Sequence, residues 1–364
     1  MDETPIRSGG ASDNVQDPTG DAPFFALGID VGSDALTLAL LSPPETGLEP
    51  APHTKSVRND EAGFKALLRW LDRLTRKAGG APANDGSPTG GSPVRVCLEA
   101  SGGYEEEVAL FLSAEGLYVS VVNPRQTSAY ARAQLRRSKT DRADAALLAR
   151  FCQRERPPRW QPPSPAQRQL RELTRAMEAL KRERDRTQNR RDRARQPAVS
   201  AALERVLETL SAQIQALGQE IEQHLGAHPE LARQRDLLVS IPGVGSLTAA
   251  LVLAELGDVS RFESAREAAA YAGLVPRHHE SGTSVKRRSQ LSKLGNSRLR
   301  RALYYPALSA MRHNEAIHVF AERLRARGKA KMAVVGASMR KLLHICFGVL
   351  KSGQVFDASL HPSA

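Results

Sequence analysis

The sequence predicts a mixed α/β domain at its amino-terminal end, then a long helical arm, then a mainly helical carboxyl-terminal domain. Three observations carry this. Between Phe24 and Arg150, alternating apolar runs and amphipathic stretches follow in the order strand, strand, strand, helix, strand, helix, strand, helix. From Ala198 to Leu225, the residues Leu203, Val206, Leu210, Leu217 and Ile221 recur at threes, fours and sevens, a coiled-coil seam about 42 Å long. From Leu237 to Gly257, two apolar helical stretches flank Ile241-Pro242-Gly243-Val244-Gly245, the pattern of a helix-hairpin-helix turn.

The 364 residues, 41% of them hydrophobic, suffice for two or three domains with real cores. A formal charge of +12 points to a polyanionic partner, nucleic acid before membrane, because no apolar run approaches a membrane span. Cys97, Cys152 and Cys346 lie far apart without paired spacing. That argues against a zinc site or disulfide framework and predicts reduced, mostly buried thiols. The first 23 residues hold no apolar core of a signal peptide, so the expected location is cytoplasmic.

Residues 1–23, rich in Asp, Gly, Ser and Pro, are expected to be a disordered tail. The first domain spans 24–160. Its first strand, Phe24 to Gly32, puts Phe25, Leu27, Ile29 and Val31 on one face and Ala26, Gly28 and Asp30 on the other. Asp30 thus projects beside two tiny side chains, which leaves room for a metal or a phosphate. Ala35 to Leu41 and His53 to Arg58 follow as strands. Asp60 caps a helix from Glu61 to Lys77 with an apolar stripe of Phe64, Leu67, Leu68, Leu71 and Leu74. Residues 79–93 read as a flexible insertion. Val94 to Ala100 is the fourth strand, with Glu99 at its carboxyl end; Ser101-Gly102-Gly103 then turns into a helix from Tyr104 to Glu115, and Leu117 to Val122 is a short parallel strand.

In the next helix Asp141 and Asp144 stand three apart on one face, ringed by Arg132, Arg136, Arg137, Lys139, Arg142 and Arg150. Such a pair suits a cation held beside a phosphate backbone; a solvated helix with Asp–Arg pairs is the plainer alternative. In open sheets ligands gather at the carboxyl ends of strands, so Asp30, Glu99, Asp141 and Asp144 can converge there. Four uncompensated carboxylates repel one another and become comfortable only around divalent cations. Two magnesium ions bridged by such acids stabilise the attacking and leaving oxygens of a phosphodiester.

Residues 161–228 read as a linker and coiled-coil arm. Pro157, Pro158, Pro162, Pro163 and Pro165 stiffen the connection, and Trp160 within it is expected to pack on the first domain. Helices from Gln167 to Arg195 and Ala198 to Leu225 then form an arm suited to self-association as a dimer or tetramer. The Lys- and Arg-rich face from Lys181 to Arg195 is either solvated or a nucleic-acid contact. Residues 229–352 form the last domain and 353–364 a tail. Gly243 and Gly245 let backbone amides approach a phosphate at a helix amino end, or simply make a tight turn. From Ser281 to Arg301 there are seven Lys or Arg and no acids, namely Lys286, Arg287, Arg288, Lys293, Arg298, Arg300 and Arg301. That is the pattern of a nucleic-acid-facing surface.

Four motifs, Gly28-Ile29-Asp30-Val31-Gly32-Ser33, Cys97 through Tyr104, Val122-Asn123-Pro124 and Lys139 through Asp144, together resemble the RuvC-like, RNase H-like domain of the DEDD transposases of bacterial insertion sequences. These are the IS110/IS116/IS902 group, relatives of the Piv-type invertases. Gly273-Leu274-Val275-Pro276, Ser281-Gly282 and Ser292-Lys293-Leu294-Gly295-Asn296 resemble the carboxyl-terminal transposase domain of the same family. The resemblance implies a DNA transposase or recombinase active at the bacterial nucleoid. It assigns Asp30, Glu99, Asp141 and Asp144 as ligands of Mg2+ in a two-metal site and Ser281 as nucleophile, with Ser284 as the neighbour that could take that place. It also implies an element-encoded guide RNA. The insertion at 79–93 departs from the family pattern but lies in a connector. Two other readings stand beside it: a hydrolytic Holliday-junction-type endonuclease in which the acids activate water, and a non-catalytic, structure-specific nucleic-acid-binding protein. Asp30 to Ser33 alone also resembles the phosphate loop of actin-like sugar kinases, but the second Asp-x-Gly strand and the adenosine loop of that fold are missing from the sequence.

Overall fold

The computed structural model describes residues 23–43, 51–77, 94–100, 102–134, 140–277, 280–281, 285–286, 290–292 and 294–360. They form two compact units, divided between Pro162 and Pro163. The expected amino-terminal tail up to Ala22 and the insertion at 79–93 lie outside the described residues.

The first unit is built on a five-stranded sheet in the order β3-β2-β1-β4-β5. Its strands are β1 (Phe25–Val31), β2 (Ala35–Leu41), β3 (His53–Arg58), β4 (Val94–Glu99) and β5 (Tyr118–Val122). Strands β1, β2 and β3 are antiparallel neighbours, while β4 is parallel to both β1 and β5. Leu27, Ile29, Leu38, Val96 and Leu98 pack on one face against α1 (Glu61–Lys77) and α2 (Glu106–Ala114). Ala26, Ala39 and Cys97 pack on the other against α4 (Asp141–Glu155), which follows α3 (Pro124–Ala133). A mixed sheet with helices on both faces fits the RNase H-like class.

Local chemistry sets the ends of these elements. Asp60 Oδ1 accepts a 2.8 Å bond from the Gly63 amide at the start of α1. The edge of β5 is covered by the proline linker: Ser120 Oγ donates to the carbonyls of Pro157 and Pro158, and the Trp160 amide donates to Val119 O at 2.7 Å. Trp160 packs on the core of this unit.

The second unit is helical: α5 (Pro165–Arg193), α6 (Pro197–Ala227), α7 (Pro229–Val239), α8 (Ser246–Leu256), α9 (Ala265–Tyr271), α10 (Ser297–Ala302), α11 (Tyr304–His313), α12 (Glu315–Ala326) and α13 (Lys331–Ser352). Two small antiparallel pairs, β6 (Pro276–Arg277) with β9 (Gln290–Leu291) and β7 (Glu280–Ser281) with β8 (Val285–Lys286), lie between α9 and α10. Helices α5 and α6 run antiparallel, tied by Arg191–Glu204 at 2.8 Å at one end and His224–Ala166 O at 2.8 Å at the other. Of the seam residues Ile221 is buried and Leu203, Leu210 and Leu217 are half-buried, whereas Val206 turns outward and is 46% exposed; buried Leu207 lies beside the seam. The seam thus packs within the chain. Leu170, Met177, Ile221 and Leu225 share one core with Leu237, Leu253 and Leu342, so the base of the arm is continuous with the helices that follow.

Two expectations need correction. Among the described residues α13 is long and apolar enough to cross a membrane by length and composition, but most of it is buried in the unit's own core, with Val334, Leu342, Leu343 and Cys346 fully covered. The segment after Gly353 is also no simple tail. Phe356 packs on the core, its amide donates to Ser240 Oγ at 2.8 Å, and Ala358–Leu360 forms a 3-10 turn. All three cysteines are free and buried, and burial pushes Cys346 up to about 12.

Candidate active site

Strand pairing brings two of the predicted acids side by side. The parallel register of β1 and β4 runs from Phe25–Val94 to Ile29–Leu98, so Asp30 and Glu99 come next, at neighbouring carboxyl ends and on one face. On the other side of β1, Asp30 pairs with Thr37, which in turn pairs with Ser56 of β3. A polar row therefore crosses this end of the sheet.

Helix α4 lies on that same face. Gly28 is its seat, since a Cβ there would come within 2.0 Å of Ala145 O and 2.3 Å of Ala149 N. Further along α4, Cys152 Sγ is 3.7 Å from Arg95 O, near the amino end of β4. The helix thus runs back along the sheet, and its first turn, with Asp141 and Asp144, lies toward the end that carries Asp30 and Glu99. Thr140 caps this turn: its Oγ1 accepts from the Ala143 amide at 3.2 Å, and its carbonyl accepts from the Asp144 amide at 2.8 Å. Asp30, Glu99 and Asp144 are half-buried and Asp141 is exposed.

Thr127 was not legible as a site residue. It is buried on α3, and its Oγ1 donates to Glu99 Oε2 at 2.6 Å and to Pro124 O at 2.9 Å. The motif Val122-Asn123-Pro124 is what places it: Asn123 caps α3 by accepting from the Arg125 amide at 2.9 Å, and Gln126 reaches back to the Asn123 amide at 3.2 Å. A pocket of about 360 Å³, lined by Thr37, Thr54, Lys55, Ser56, Thr140, Asp141 and Arg142, adjoins the first turn of α4. Thr37, Thr54, Lys55 and Ser56 come from β2 and β3, and only the strand register could have revealed them; Thr140, Asp141 and Arg142 come from the start of α4.

The donors on this face are hard carboxylate oxygens, the ligand type that Mg2+ prefers. Among the described residues, no three His, Cys, Asp or Glu side chains lie close enough together to hold a metal ion. Asp30 and Glu99 share one face and the turn bearing Asp141 and Asp144 lies toward the same end, but the four do not form a metal-binding group.

Ser281 lies in the second unit, on β7, where its backbone pairs with Val285. Gly282, Ser284, Arg287, Arg288 and Lys293 fall outside the described residues; Lys286 lies on β8. The predicted basic residues of α10 differ in their surroundings. Arg300 donates to Ala272 O at 2.9 Å, Arg298 stands 4.0 Å from Glu178, and Arg301 is exposed. The Gly295-Asn296 motif is structural here. Gly295 has φ +143 and sits where a Cβ would strike Tyr271 O at 2.2 Å. Asn296 caps α10 and donates to Glu255 at 2.8 Å. Burial pushes the Glu255 carboxyl up, but the two-pronged contact with Arg175, at 2.9 and 3.3 Å, together with Asn296 and Arg298, holds it below the usual range. Gly243, with φ +99, packs on Ala310, whereas a Cβ on Gly245 would meet nothing within 4 Å among the described residues.

Comparison with known proteins bears on both units. Residues 27–194 match the family model for DEDD transposases of the IS110 type, and residues 235–322 match the Transposase IS116/IS110/IS902 family. The pilin gene-inverting proteins of Moraxella bovis and Moraxella lacunata are 35% and 37% identical to this chain over 83% of it and 90% of their own length. The solved Thermus thermophilus RuvC structure aligns with 37% of this chain and 99% of its own at 17% identity, with a TM-score of 0.26. With both family models matched and relatives aligned over most of its length, this chain belongs to the IS110 family of DEDD transposases and is a DNA transposase or recombinase.

Proposed function

We propose that the chain cleaves and exchanges DNA strands for insertion-sequence mobility, with Asp30, Glu99, Asp141 and Asp144 holding divalent cations and Ser281 acting as nucleophile. The observation that carries this reading is the shared end of one sheet face: Asp30 and Glu99 follow each other in register, and Gly28 seats α4 so that Asp141 and Asp144 lie toward the same end. Mg2+ bound in a two-metal arrangement would stabilise the attacking and leaving oxygens of the phosphodiester. Thr127 orients Glu99, and the Thr140 cap fixes the turn that carries Asp141 and Asp144.

In the reaction, Ser281 Oγ loses its proton and attacks phosphorus, while the P–O bond to the departing strand breaks and that strand leaves as a protonated hydroxyl end. A phosphoserine ester remains. Attack by the hydroxyl of another strand end reverses the step, restoring the serine and joining the strands, so bond energy is conserved and no nucleotide triphosphate is needed. The serine and the acids act on one phosphodiester, within one chain or between protomers of a dimer or tetramer. Exposed Val199 and Val206 on the outer face of α6 offer a contact for such an assembly. An element-encoded guide RNA pairing with DNA belongs to the proposal, with Lys286, Arg287, Arg288, Lys293, Arg298 and Arg301, and the open backbone at Gly245, as nucleic-acid contacts.

The second reading, a hydrolytic junction nuclease, needs only the acids of the first unit, with water as the nucleophile. A suicide DNA substrate separates the two. Serine attack leaves a denaturation-resistant protein–DNA adduct that maps to Ser281, and Ser281→Ala abolishes adduct and cleavage together while DNA affinity stays within a few fold. An adduct on Ser284 corrects the residue. Cleavage without any adduct, surviving in Ser281→Ala, favours hydrolysis by water.

A further inference from the structure

Helices α10 and α11 carry a surface of which the reading above uses only Arg298 and Arg301. Leu303 and Ala307 continue the helical bonding across their junction, donating to Leu299 O at 3.2 Å and Leu303 O at 3.0 Å. The two helices therefore share faces. Leu299, Leu303, Ala307 and Ala310 are buried. On the opposite side Arg298, Arg301, Tyr305, Ser309 and Arg312 recur at intervals of three and four residues. Tyr305 is 77% exposed, the most exposed of the large hydrophobic side chains on the described surface. Arg301 and Arg312 are exposed and have no ion-pair partner among the described residues, while Arg298 is half-exposed near Glu178.

A large aromatic ring held in water between arginines serves an unpaired nucleobase better than it serves the fold. Every base offers a π-face, and a ring flanked by cations can stack on it while the neighbouring phosphates are neutralised. One helical turn separates Arg301 from Tyr305, about 6 Å, the scale of one nucleotide step. The ring is also braced: Tyr304, partly buried against the core, meets it edge-on with centroids 5.2 Å apart. A duplex hides its base faces, so this surface favours unpaired strands.

We propose that Tyr305 is a stacking platform for an unpaired base of single-stranded nucleic acid, with Arg301 and Arg312 holding the adjoining phosphates. The proposal rests on nucleic acid being the partner of this unit and names the form it takes. It is independent of Ser281 and of the acids.

The test measures anisotropy of a fluorescein-labelled, mixed-sequence DNA strand, its duplex, and an RNA strand of the same sequence, with full-length protein at fixed salt. Tyr305→Ala is expected to weaken single-strand binding about ten-fold while duplex affinity changes less than about two-fold. Tyr305→Leu, which keeps apolar bulk but no π-face, should behave like the alanine variant. Tyr305→Trp should retain affinity and show tryptophan quenching by the strand beyond that of the parent. Loss with both DNA and RNA strands fits a sugar-independent stack, and loss with one of them identifies the natural strand. Unchanged single-strand affinity in Tyr305→Ala, full affinity in Tyr305→Leu, or equal losses on strand and duplex would each overturn the proposal. If the parent protein binds no nucleic acid in any form, the broader reading of this unit falls with it.

Discussion

Gly28 and Ala145 meet backbone to backbone: a Cβ on Gly28 would stand 2.0 Å from the Ala145 carbonyl oxygen. No side chain separates strand β1 from helix α4, so the glycine sets where the first turn of α4 lies over the sheet. Gly28→Ala must push the helix away. The expected cost is about 1–3 kcal/mol of stability, as for other overpacked cores, read by urea denaturation. DNA cleavage should fall much further than stability does, because Asp141 and Asp144 move with the helix.

Thr127 should matter through Glu99. Thr127→Val keeps the volume but removes the 2.6 Å bond to Oε2, at about 1 kcal/mol in stability. Cleavage should then require more divalent cation, since Glu99 is less well oriented. A magnesium titration of parent and variant checks this; identical titration curves would remove Thr127 from the site.

The buried pair of Glu255 and Arg175 joins α8 to α5, and Asn296 adds α10. Glu255→Gln leaves Arg175 without its anion and should cost about 3 kcal/mol, the low end for a buried pair because Arg175 keeps some water. The folded-state carboxyl is held below its ordinary value of 4.5. Its contribution is therefore present above that value and lost as pH falls through the lower folded one. The stability gap between parent and variant should narrow in acid below about pH 4.5 and stay constant above it.

Charge in the basic segment is tested by salt. If Lys286, Arg287 and Arg288 each neutralise a phosphate, replacing all three with Gln should flatten the slope of log affinity against log salt by up to about 0.9 per contact. An unchanged slope would turn this segment toward solvent or protein.

Much of the first unit could be read from residues alone. Alternation gives the faces of β1 and β4, and the positions of Asp30 and Glu99 at the carboxyl-terminal parts of these strands could be read from the residues. Those of Thr37 and Ser56 could not, since their place beside Asp30 depends on which strands pair and in what register. Thr127 looked like one more helical threonine until the Asn123 cap set its direction. In α6 the leucine seam suggested another protein chain as its partner. Its partner is α5, whose buried positions Leu170, Thr174, Met177 and Thr187 mix threonine with apolar residues among many charges and do not read as a heptad seam. The length and hydropathy of α13 reflect a helix covered on most sides by neighbours, which no local pattern reveals.

In the proposed reaction the four carboxylates, Asp30, Glu99, Asp141 and Asp144, hold the cations that drive strand cleavage. Asp30→Asn and Asp144→Asn each replace a carboxylate by an amide, a poor ligand for Mg2+, at half-buried positions where the fold should survive. Cleavage of an insertion-sequence DNA end in the presence of Mg2+, measured alongside thermal unfolding, is the direct test. Loss of cleavage in both variants with an unchanged melting temperature is the expected result; full cleavage by either purified variant would rule out a catalytic metal site at these carboxylates.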